Sequence, residues 1–385
     1  MNTLVINAGS VTIKYKLFDP QLVEILSGLI DDKNGVHISE LYKNGQKFTW
    51  EISAADYQSA AKLILNEVKE YPIAKLGFRI VHGGELFTLP TLLDKANLEK
   101  LKTLNSLAPL HNPATIDVIN EFRELLPDVP FYGVFDTAFH ASMSPKAFMY
   151  GLPYDYYQAY HVRKYGFHGI SHQYLSNTLK TLEPKAKKVI TCHLGGGASL
   201  CAIHKWQSID TSMGFTPLEG LIMATRAGDV DDGAIKYIQD KTGFSDAKME
   251  EIENKKSGLL GISGYSSDMR ILLADEIAGN ERAHLAIEMY VYRIQKYIGA
   301  FVAALNGIDA VVLSGGVGAG SDIIRARIFA GLNFLKLKID ANINSGKANA
   351  STNYKISTAK SKSIWVIPTN EELQIAHEIS SLQAS

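Results

Sequence analysis

Five residues with charged or titratable side chains lie at predicted strand ends or in short loops rich in small residues and proline. They are two arginines, two histidines and one carboxylate: Arg79, Arg226, His111, His168 and Asp136. This set suits phosphoryl transfer to an anionic acceptor, because arginine neutralises both the acceptor and a phosphate and binds planar oxygens in a bidentate manner. The transferred group keeps its negative charge, so positioning and electrostatic stabilisation account for most of the catalysis.

Each of the five residues also has a purely structural interpretation. Arg79 could form a surface salt bridge, Asp136 could cap the turn after its strand, and a single histidine is more often a core residue than a catalytic one. The shared context favours the functional interpretation, because α/β proteins assemble their sites at strand ends. Asp136 and Glu371 also suit Mg²⁺, which binds few carboxylates and keeps several waters.

Two distant segments repeat one pattern, a strand, a corner of glycine or serine, and a second strand. The first covers residues 3–18 and the second covers residues 188–204. Backbone N–H groups at such corners can close around a phosphate, and glycine allows the positive φ and the close approach that this requires. The repetition predicts two similar lobes that face each other across a phosphate-binding cleft.

A third glycine-rich segment runs from Gly315 to Ser321, after a predicted strand. Its spacing resembles a P-loop, but Asp322 follows Ser321 and no lysine is present, so it is not a Walker A motif. Alone it could be a tight turn from the strand to a helix that begins at Asp322. Beside the two other corners it indicates a nucleotide site.

The elements that must position these residues alternate between strands and helices, which argues for an α/β architecture. Alternating polar and apolar residues predict a strand over 12–18, and Asn44-Gly45 predicts a hairpin within 36–50. Asn370 is a natural N-cap for a terminal helix that begins with Glu371 and Glu372. Further strands are predicted at 75–82, 130–135, 310–314 and 364–368, and helices at 54–70, 98–107, 115–126, 171–182 and 283–306.

Composition excludes several classes of function. The 385 residues correspond to about two domains, and a formal net charge of −1 gives no electrostatic case for nucleic acid or an anionic membrane. We expect no transmembrane helix and no signal peptide, and therefore a cytoplasmic protein. Cys192 and Cys201 are expected to be small buried residues, which could face each other across the second hairpin, and not a disulfide or metal site.

Six stretches are specific enough to carry a family resemblance. They are Arg79-Ile-Val-His-Gly-Gly-Glu85, Leu107-Ala-Pro-Leu-His-Asn-Pro113, Phe135-Asp-Thr-Ala-Phe-His140, Tyr165-Gly-Phe-His-Gly-Ile-Ser-His172, Thr216-Pro-Leu-Glu-Gly-Leu221 and Ser267-Asp-Met-Arg270. On these, the chain resembles the acetate kinase family of the acetate and sugar kinase, Hsp70 and actin superfamily. The resemblance implies an α/β fold of two lobes with duplicated ribonuclease H-like βββαβαβα cores and a cleft between them. It assigns residues 1–142, with the terminal helix 373–385, to one lobe, and residues 143–372 to a nucleotide-binding and dimerisation lobe.

The resemblance also implies site residues and partners. The catalytic residues would be Asp136, Arg79, Arg226, His168 and His111, of which His168 and Arg226 would stabilise the transition state. Acetate would bind Arg79 and a small apolar pocket made by Val81, Leu110, Phe167 and Pro217. Asn7 and Glu371, with Asp136, would hold Mg²⁺ (Mn²⁺ is the alternative) and its waters. ATP or ADP would contact Ser10, Thr12, Lys14, His193, Gly195, Gly196, Gly197, Asp268, Met269, Arg270, Gly315, Gly316, Val317 and Gly318. A homodimer is expected, with neither nucleic acid nor membrane as a partner.

Three segments on the nucleotide side depart from the family pattern. The first corner usually reads Gly-Ser-Ser-Ser, and here it reads Gly9-Ser-Val-Thr12. The second usually has Asn where this chain has Gly196, and the third usually continues Gly-Glu-Asn where this chain has Gly318-Ala-Gly320. A lost hydrogen bond to a charged group costs on the order of 1.5–3 kcal/mol. We therefore expect weaker nucleotide binding and retained acyl-phosphate chemistry.

The leading hypothesis is a Mg²⁺-dependent kinase that catalyses ATP + acetate ⇌ ADP + acetyl phosphate by direct in-line transfer. A propionate or butyrate kinase is the nearest alternative, and the size of the residue at Val81 decides between them. A sugar kinase would need one carboxylate base for a neutral hydroxyl and would gain little from two arginines and two histidines. A nucleotide-dependent switch or filament protein would not need this cluster at all.

Overall fold

The computed structural model describes residues 2–9, 12–33, 36–52, 56–109, 111–346, 352–380 and 382. Packing divides the chain into two compact units, Met1–Ala141 with Asn370–Ser385, and Ser142–Thr369. Each unit has a β-sheet of its own. Within the described ranges, no helix has both the length and the apolar character that crossing a bilayer would require.

Strands and helices alternate along the chain. The strands are β1 Asn2–Ala8, β2 Ile13–Phe18, β3 Glu24–Lys33, β4 Val36–Lys43, β5 Gln46–Glu51, β6 Ile73–Ile80, β7 Thr91–Leu92, β8 Phe131–Phe135, β9 Lys188–Leu194, β10 Ala198–His204, β11 Gln207–Thr211, β12 Ala310–Ser314, β13 Tyr354–Lys355 and β14 Ser363–Val366. The α-helices are α1 Tyr57–Glu67, α2 Lys95–Lys102, α3 Asn112–Leu125, α4 Pro145–Phe148, α5 Tyr154–Tyr160, α6 Gly169–Leu182, α7 Asp232–Thr242, α8 Asp246–Glu251, α9 Gly258–Ser263, α10 Met269–Ile277, α11 Glu281–Leu305, α12 Gly315–Gly320, α13 Asp322–Ala330, α14 Ala341–Gly346 and α15 Glu371–Ser380. Short 3₁₀ helices lie at Asn105–Leu107, Ala138–Ser142 and Asn333–Leu335, and a π-helical turn lies at Ile252–Lys256.

The first unit contains an eight-stranded sheet in the order β5-β4-β3-β2-β1-β6-β8-β7. The apolar residues of β2 are buried while Lys14 is exposed, which confirms the predicted alternation. Asn44 and Gly45 have φ angles of 55° and 75° and join β4 to β5, which confirms the predicted hairpin.

Helix α15 packs against β1 and β6 of this sheet. Oδ1 of Asn370 accepts a hydrogen bond from the N–H of Leu373 at 3.3 Å, which confirms the predicted N-cap. Gly77 in β6 permits the close approach of the helix, because a Cβ there would lie 2.7 Å from Ile375 and 2.8 Å from Ile379. This packing fixes the position of the first turn of α15, which contains Glu371.

The second unit contains a six-stranded sheet in the order β11-β10-β9-β12-β14-β13. Within it, β9, β10 and β11 pair antiparallel, and β12 pairs parallel with both β9 and β14. The first unit repeats this plan, because β1, β2 and β3 are antiparallel while β1, β6 and β8 are parallel neighbours. The predicted α/β class and the duplicated core are therefore confirmed.

The structure differs from the sequence-based interpretation in two details. The glycine-rich segment after β12 forms helix α12 and not a turn, and the buried guanidinium of Arg325 stabilises its end by donating to the carbonyls of Gly318 and Ala319.

The two cysteines do not face each other, since Cys192 pairs with Leu200 and Cys201 with Thr191. A register shifted by one residue places their side chains on opposite faces of the sheet. Both cysteines are buried, and neither takes part in a disulfide.

Candidate active site

In the first unit, three polar side chains meet at the carboxyl ends of the parallel strands β1, β6 and β8. Nε of Arg79 lies 3.2 and 3.1 Å from the two carboxylate oxygens of Asp136, and Nη2 lies 2.5 Å from Oδ2. Nη1 of Arg79 donates to Oδ1 of Asn7 at 3.2 Å. Adjacent parallel strands end at the same edge of a sheet, so the topology alone brings Asn7, Arg79 and Asp136 together.

Two glutamates in the first turn of α15 border this group. Nδ2 of Asn7 donates to Oε1 of Glu372 at 3.1 Å, and Glu372 is buried. Sequence reasoning selected Glu371 and gave no role to Glu372. The available signal was the pair of acidic residues at a helix start, where the helix dipole already favours negative charge.

The electrostatics of this group shift two pKa values. Burial raises the pKa of Glu371 to about 7; repulsion by Asp136 and Glu372 adds to the rise, and Arg79 and Lys14 oppose it. Burial by itself would lower the pKa of Arg79, but attraction by Asp136, Glu371 and Glu372 outweighs it, and the net shift is upward. Arg79 therefore stays charged, while Glu371 titrates near neutral pH.

The donor set fits a hydrated divalent cation. Asp136, Glu371 and Glu372 all attract the Arg79 guanidinium, and Asp136 and Glu372 repel Glu371, so a cation would relieve an excess of negative charge there. Among the described residues, no three His, Cys, Asp or Glu side chains are arranged to hold a metal ion by themselves. Mg²⁺ does not need such a cage, because it uses one or two carboxylates together with water and substrate phosphates.

A buried histidine that sequence reasoning did not select holds the loop after β6. His82 and Asn112 exchange two hydrogen bonds of 3.2 and 3.0 Å, and Nδ1 of His82 accepts the N–H of Gly84 at 3.0 Å. Burial lowers the pKa of His82 to about 4, so this side chain is neutral. The link joins two predicted site segments, because Val81 precedes His82 and His111 precedes Asn112 at the start of α3.

In the second unit, a chain of hydroxyl and imidazole groups surrounds His168. Nδ1 of His168 lies 2.9 Å from Oγ of Ser199, which lies 2.8 Å from Nε2 of His172. The rings of His168 and His193 stack with their centroids 4.5 Å apart, and Nδ1 of His193 lies 2.8 Å from Oγ of Ser171. Sequence reasoning missed Ser171, His172 and Ser199, because their contacts join positions far apart in the chain.

The corner Gly195–Gly197 brings His168 and Arg226 together. A Cβ at Gly197 would lie 3.3 Å from Nε2 of His168 and 3.5 Å from Nη1 of Arg226, so both side chains reach the same corner. A Cβ at Gly196 would meet nothing within 4 Å, so the corner is open on that side. Nη1 of Arg226 donates to the carbonyl oxygen of Pro217 at 3.3 Å, which orients the guanidinium.

A cavity of about 600 Å³ begins at this corner and lies between α10, α12 and α13. Seven of the predicted nucleotide-binding residues line it: Gly195, Gly196, Asp268, Met269, Arg270, Gly316 and Val317. Arg270 is exposed and ion-paired with Asp268 at 2.5 Å. Gly197, Gly315 and Gly318 do not line the cavity but are next to lining residues along the chain, and His193 lies two residues before Gly195. Arg325, whose guanidinium supports α12, was also missed by sequence reasoning.

The remaining predicted residues are distributed over both units. Phe167 is buried in the second unit, and Pro217 is partly buried there. In the first hairpin, the N–H of Gly9 donates to the carbonyl of Thr12 at 2.7 Å, and Lys14 follows on β2. Ser10 and Leu110 lie outside the described residues.

Comparisons with known proteins identify the family to which the chain belongs. The model of the acetokinase family matches residues 2–377. An acetate kinase of Phocaeicola vulgatus is 46% identical over 98% of each chain. The crystal structure of an acetate kinase from Porphyromonas gingivalis has a TM-score of 0.90 at 38% identity, and that of a propionate kinase from Francisella tularensis has 0.92 at 36%; each comparison covers 98% of both chains. The resemblance inferred from the sequence is confirmed: this chain belongs to the acetokinase family.

Proposed function

We propose that this protein catalyses reversible, Mg²⁺-dependent transfer of the γ-phosphoryl group of ATP to acetate, giving acetyl phosphate and ADP. Family membership supports a kinase with a carboxylate acceptor. The observation that carries the proposal is the meeting of His168 and Arg226 at the Gly197 corner, where the cavity between α10, α12 and α13 begins. The Arg226 guanidinium and the His168 ring thus stand beside the place where the terminal phosphate of a bound nucleotide would lie.

The transfer requires no proton movement. A carboxylate oxygen of acetate forms the new bond to the γ-phosphorus, and the bond from phosphorus to the β,γ-bridging oxygen breaks in line with it. Negative charge moves from the acceptor onto ADP, so fixed cations are what the reaction needs. Arg79 and Arg226 neutralise the carboxylate and the phosphoryl group, His168 stabilises the equatorial oxygens, and His111 holds the acyl phosphate.

Asn7, Asp136 and Glu371 would hold Mg²⁺, or Mn²⁺ in its place, mostly through water. The metal would supply charge neutralisation at the phosphate oxygens. Arg79 ties Asn7 and Asp136 into one rigid group and so keeps their oxygens oriented.

We further propose that ATP or ADP lies in the 600 Å³ cavity, with the adenosine against residues 268–270 and α12. The phosphates would extend toward the Gly195–Gly197 corner and His193. Gly315 and Gly318 would contribute by allowing the backbone of α12 to lie close to the nucleotide. Ser10, Thr12 and Lys14 belong to the same proposal as the phosphate-binding residues of the first hairpin.

Acetate is the proposed acceptor because the family resemblance assigns Val81, Leu110, Phe167 and Pro217, all apolar, to the binding of its methyl group. A methylene in such a pocket changes binding by only about 1–3 kcal/mol, so slow reaction with propionate is expected. The similarity to a solved propionate kinase keeps propionate as the second candidate. A cytoplasmic homodimer completes the proposal.

The test is ³¹P NMR of the purified protein with Mg²⁺, ATP and acetate, beside a parallel sample with propionate. An acyl-phosphate signal that grows with an equal amount of ADP is the expected result, faster with acetate. A faster reaction with propionate would make propionate, and not acetate, the preferred acceptor. Absence of acyl phosphate with ATP, GTP and pyrophosphate as donors would refute the proposal.

A further inference from the structure

A cluster of polar side chains in the second unit, outside the residues assigned to the reaction, surrounds Gly214. The hydroxyl of Tyr150 donates to Oε2 of Glu219, and Nζ of Lys164 lies 3.0 Å from Oε1. The N–H of Phe215 in turn donates to the Tyr150 oxygen at 2.8 Å. Both carboxylate oxygens of Glu219 are therefore held, each by a different segment of the chain.

Gly214 is the position at which this cluster leaves no space. A Cβ at Gly214 would lie 1.7 Å from Oε2 of Glu219 and 2.4 Å from the Tyr150 oxygen, so only glycine accommodates the glutamate there. The carbonyl of Gly214 accepts the N–H groups of Tyr165 and Gly166, both at 3.1 Å. The next residue along the chain is Phe167, so the cluster also anchors that side of the proposed acyl pocket.

The segment between Gly214 and Glu219 orients Arg226. Pro217 lies in the middle of this segment, and its carbonyl accepts Nη1 of Arg226 at 3.3 Å. The segment is anchored on one side by the bond from Phe215 to Tyr150 and on the other by Glu219 itself. A shift of either anchor would move the Pro217 carbonyl and with it the guanidinium of Arg226.

The charges of the cluster favour its persistence. Burial raises the pKa of Tyr150, and the hydrogen bond and charge of Glu219 raise it further, so the hydroxyl keeps its proton and remains a donor. Lys164 supplies the positive charge that compensates Glu219, with a side chain only 14% exposed. A partly buried, fully bonded ion pair of this kind is costly to break by removing one partner.

We propose that Glu219, held by Tyr150 and Lys164, is a positioning residue that sets the placement of Arg226 and the Phe167–Pro217 side of the acyl pocket. The inference rests on the proposed function, since its consequences are turnover and discrimination between acetate and propionate. Glu219 does not line the nucleotide cavity, and it is not among the nearest neighbours of Gly195, Gly196 or Gly197. Its effect is therefore expected on the acyl side of the reaction and not on nucleotide binding.

The experiment compares Glu219→Gln and Tyr150→Phe with the wild type. The matched control is Glu183→Gln. Glu183 also accepts two side-chain hydrogen bonds, from Ser363 at 2.6 Å and Trp365 at 2.8 Å. Both donors belong to β14, which is separated from β10 by β9 and β12 in the sheet. We expect kcat with acetate to fall about tenfold in both test variants, because small misplacements of catalytic groups have effects of this size or larger. The acetate-to-propionate ratio of kcat/KM should fall at least about threefold in the test variants, while their KM for ATP stays within about twofold of the wild type. In the control, kcat and the acetate-to-propionate ratio should both stay within about twofold.

Unchanged kcat and an unchanged acetate-to-propionate ratio in both test variants would overturn the inference, as would equal losses in Glu183→Gln. Tyr150→Phe removes a single hydroxyl and keeps the test decisive if Glu219→Gln does not fold. A wild-type protein that makes no acyl phosphate would refute the proposed function instead. In that case crystal structures decide the positioning claim: a broken Arg226–Pro217 hydrogen bond in the variants supports it, and an intact one overturns it.

Discussion

Glu371 offers the most quantitative test of the carboxylate group in the first unit. In the folded protein its pKa is raised to about 7 from a usual value near 4.5, by burial and by repulsion from Asp136 and Glu372. Between these two pH values the folded state binds more protons than the unfolded state. The free energy of unfolding must therefore decrease as pH rises through this window. Replacing Glu371 with Gln removes the titration and, with it, this decrease.

The magnitude follows from the size of the shift. One pKa unit corresponds to about 1.4 kcal/mol, so the rise to about 7 corresponds to about 3 kcal/mol of instability when Glu371 is ionised. Glu371→Gln should thus be about as stable as the wild type at pH 4.5 and more stable by up to about 3 kcal/mol at pH 8 in the absence of divalent cations. At pH 8, Mg²⁺ should stabilise the wild type and have a smaller effect on the variant, because the proposed metal ligand is lost.

The assay is urea unfolding followed by circular dichroism at several pH values between 4.5 and 8, with Mg²⁺ and with EDTA. Glu99→Gln is the control, since Glu99 forms an exposed pair with Lys102 on α2 of the same unit. The control should show no pH-dependent gain, because exposed pairs contribute little. A Glu371→Gln variant that is less stable than the wild type at pH 8 in EDTA would refute the electrostatic reasoning.

Three further predictions concern turnover, nucleotide binding and acceptor preference. Arg226→Ala should lower kcat about 10²–10³-fold, because it removes a donor to the transition state; near-normal turnover in a coupled ADP assay would contradict its assignment. Gly196→Asn should tighten ADP binding severalfold in calorimetry, since the position is open and gains a hydrogen-bonding amide; an unchanged Kd would mean that the glycine is already compensated. Val81→Ala should raise kcat/KM for propionate relative to acetate about tenfold; an unchanged ratio in competition experiments would exclude Val81 from the pocket.

Much of the site could be anticipated because strand ends leave a local signature. Asp136 follows an apolar strand and precedes small residues, and Arg79 lies near the end of a strand that runs into Gly83-Gly84. The parallel pairing of β6 with β8 then brings Arg79 and Asp136 within hydrogen-bonding distance. The N-cap at Asn370 and the hairpin at Asn44-Gly45 were predictable for the same reason, since both depend on neighbouring residues only.

The residues that were missed act through contacts distant in sequence. Ser199 joins His168 to His172, Asn112 holds His82, and Arg325 supports α12 from the next helix. A serine or asparagine of this kind looks like any other polar residue until the fold gives it a partner. Hydrogen bonds of this kind join residues that only the fold brings together, so sequence spacing carries little information about them.

The amino-acid sequence by itself determined the family, the α/β class, the duplicated strand–glycine–strand plan and the set of candidate cations and carboxylates, because these depend on local pattern and on motifs. Only the tertiary structure decided which of those charged groups lie close enough to interact electrostatically. The register of β9 against β10 separated the two cysteines, and the approach of α15 to Gly77 accompanies the packing that brings Glu371 and Glu372 to Asp136. Register and helix packing are set by side-chain fit between elements far apart in the chain, so no local pattern reports them.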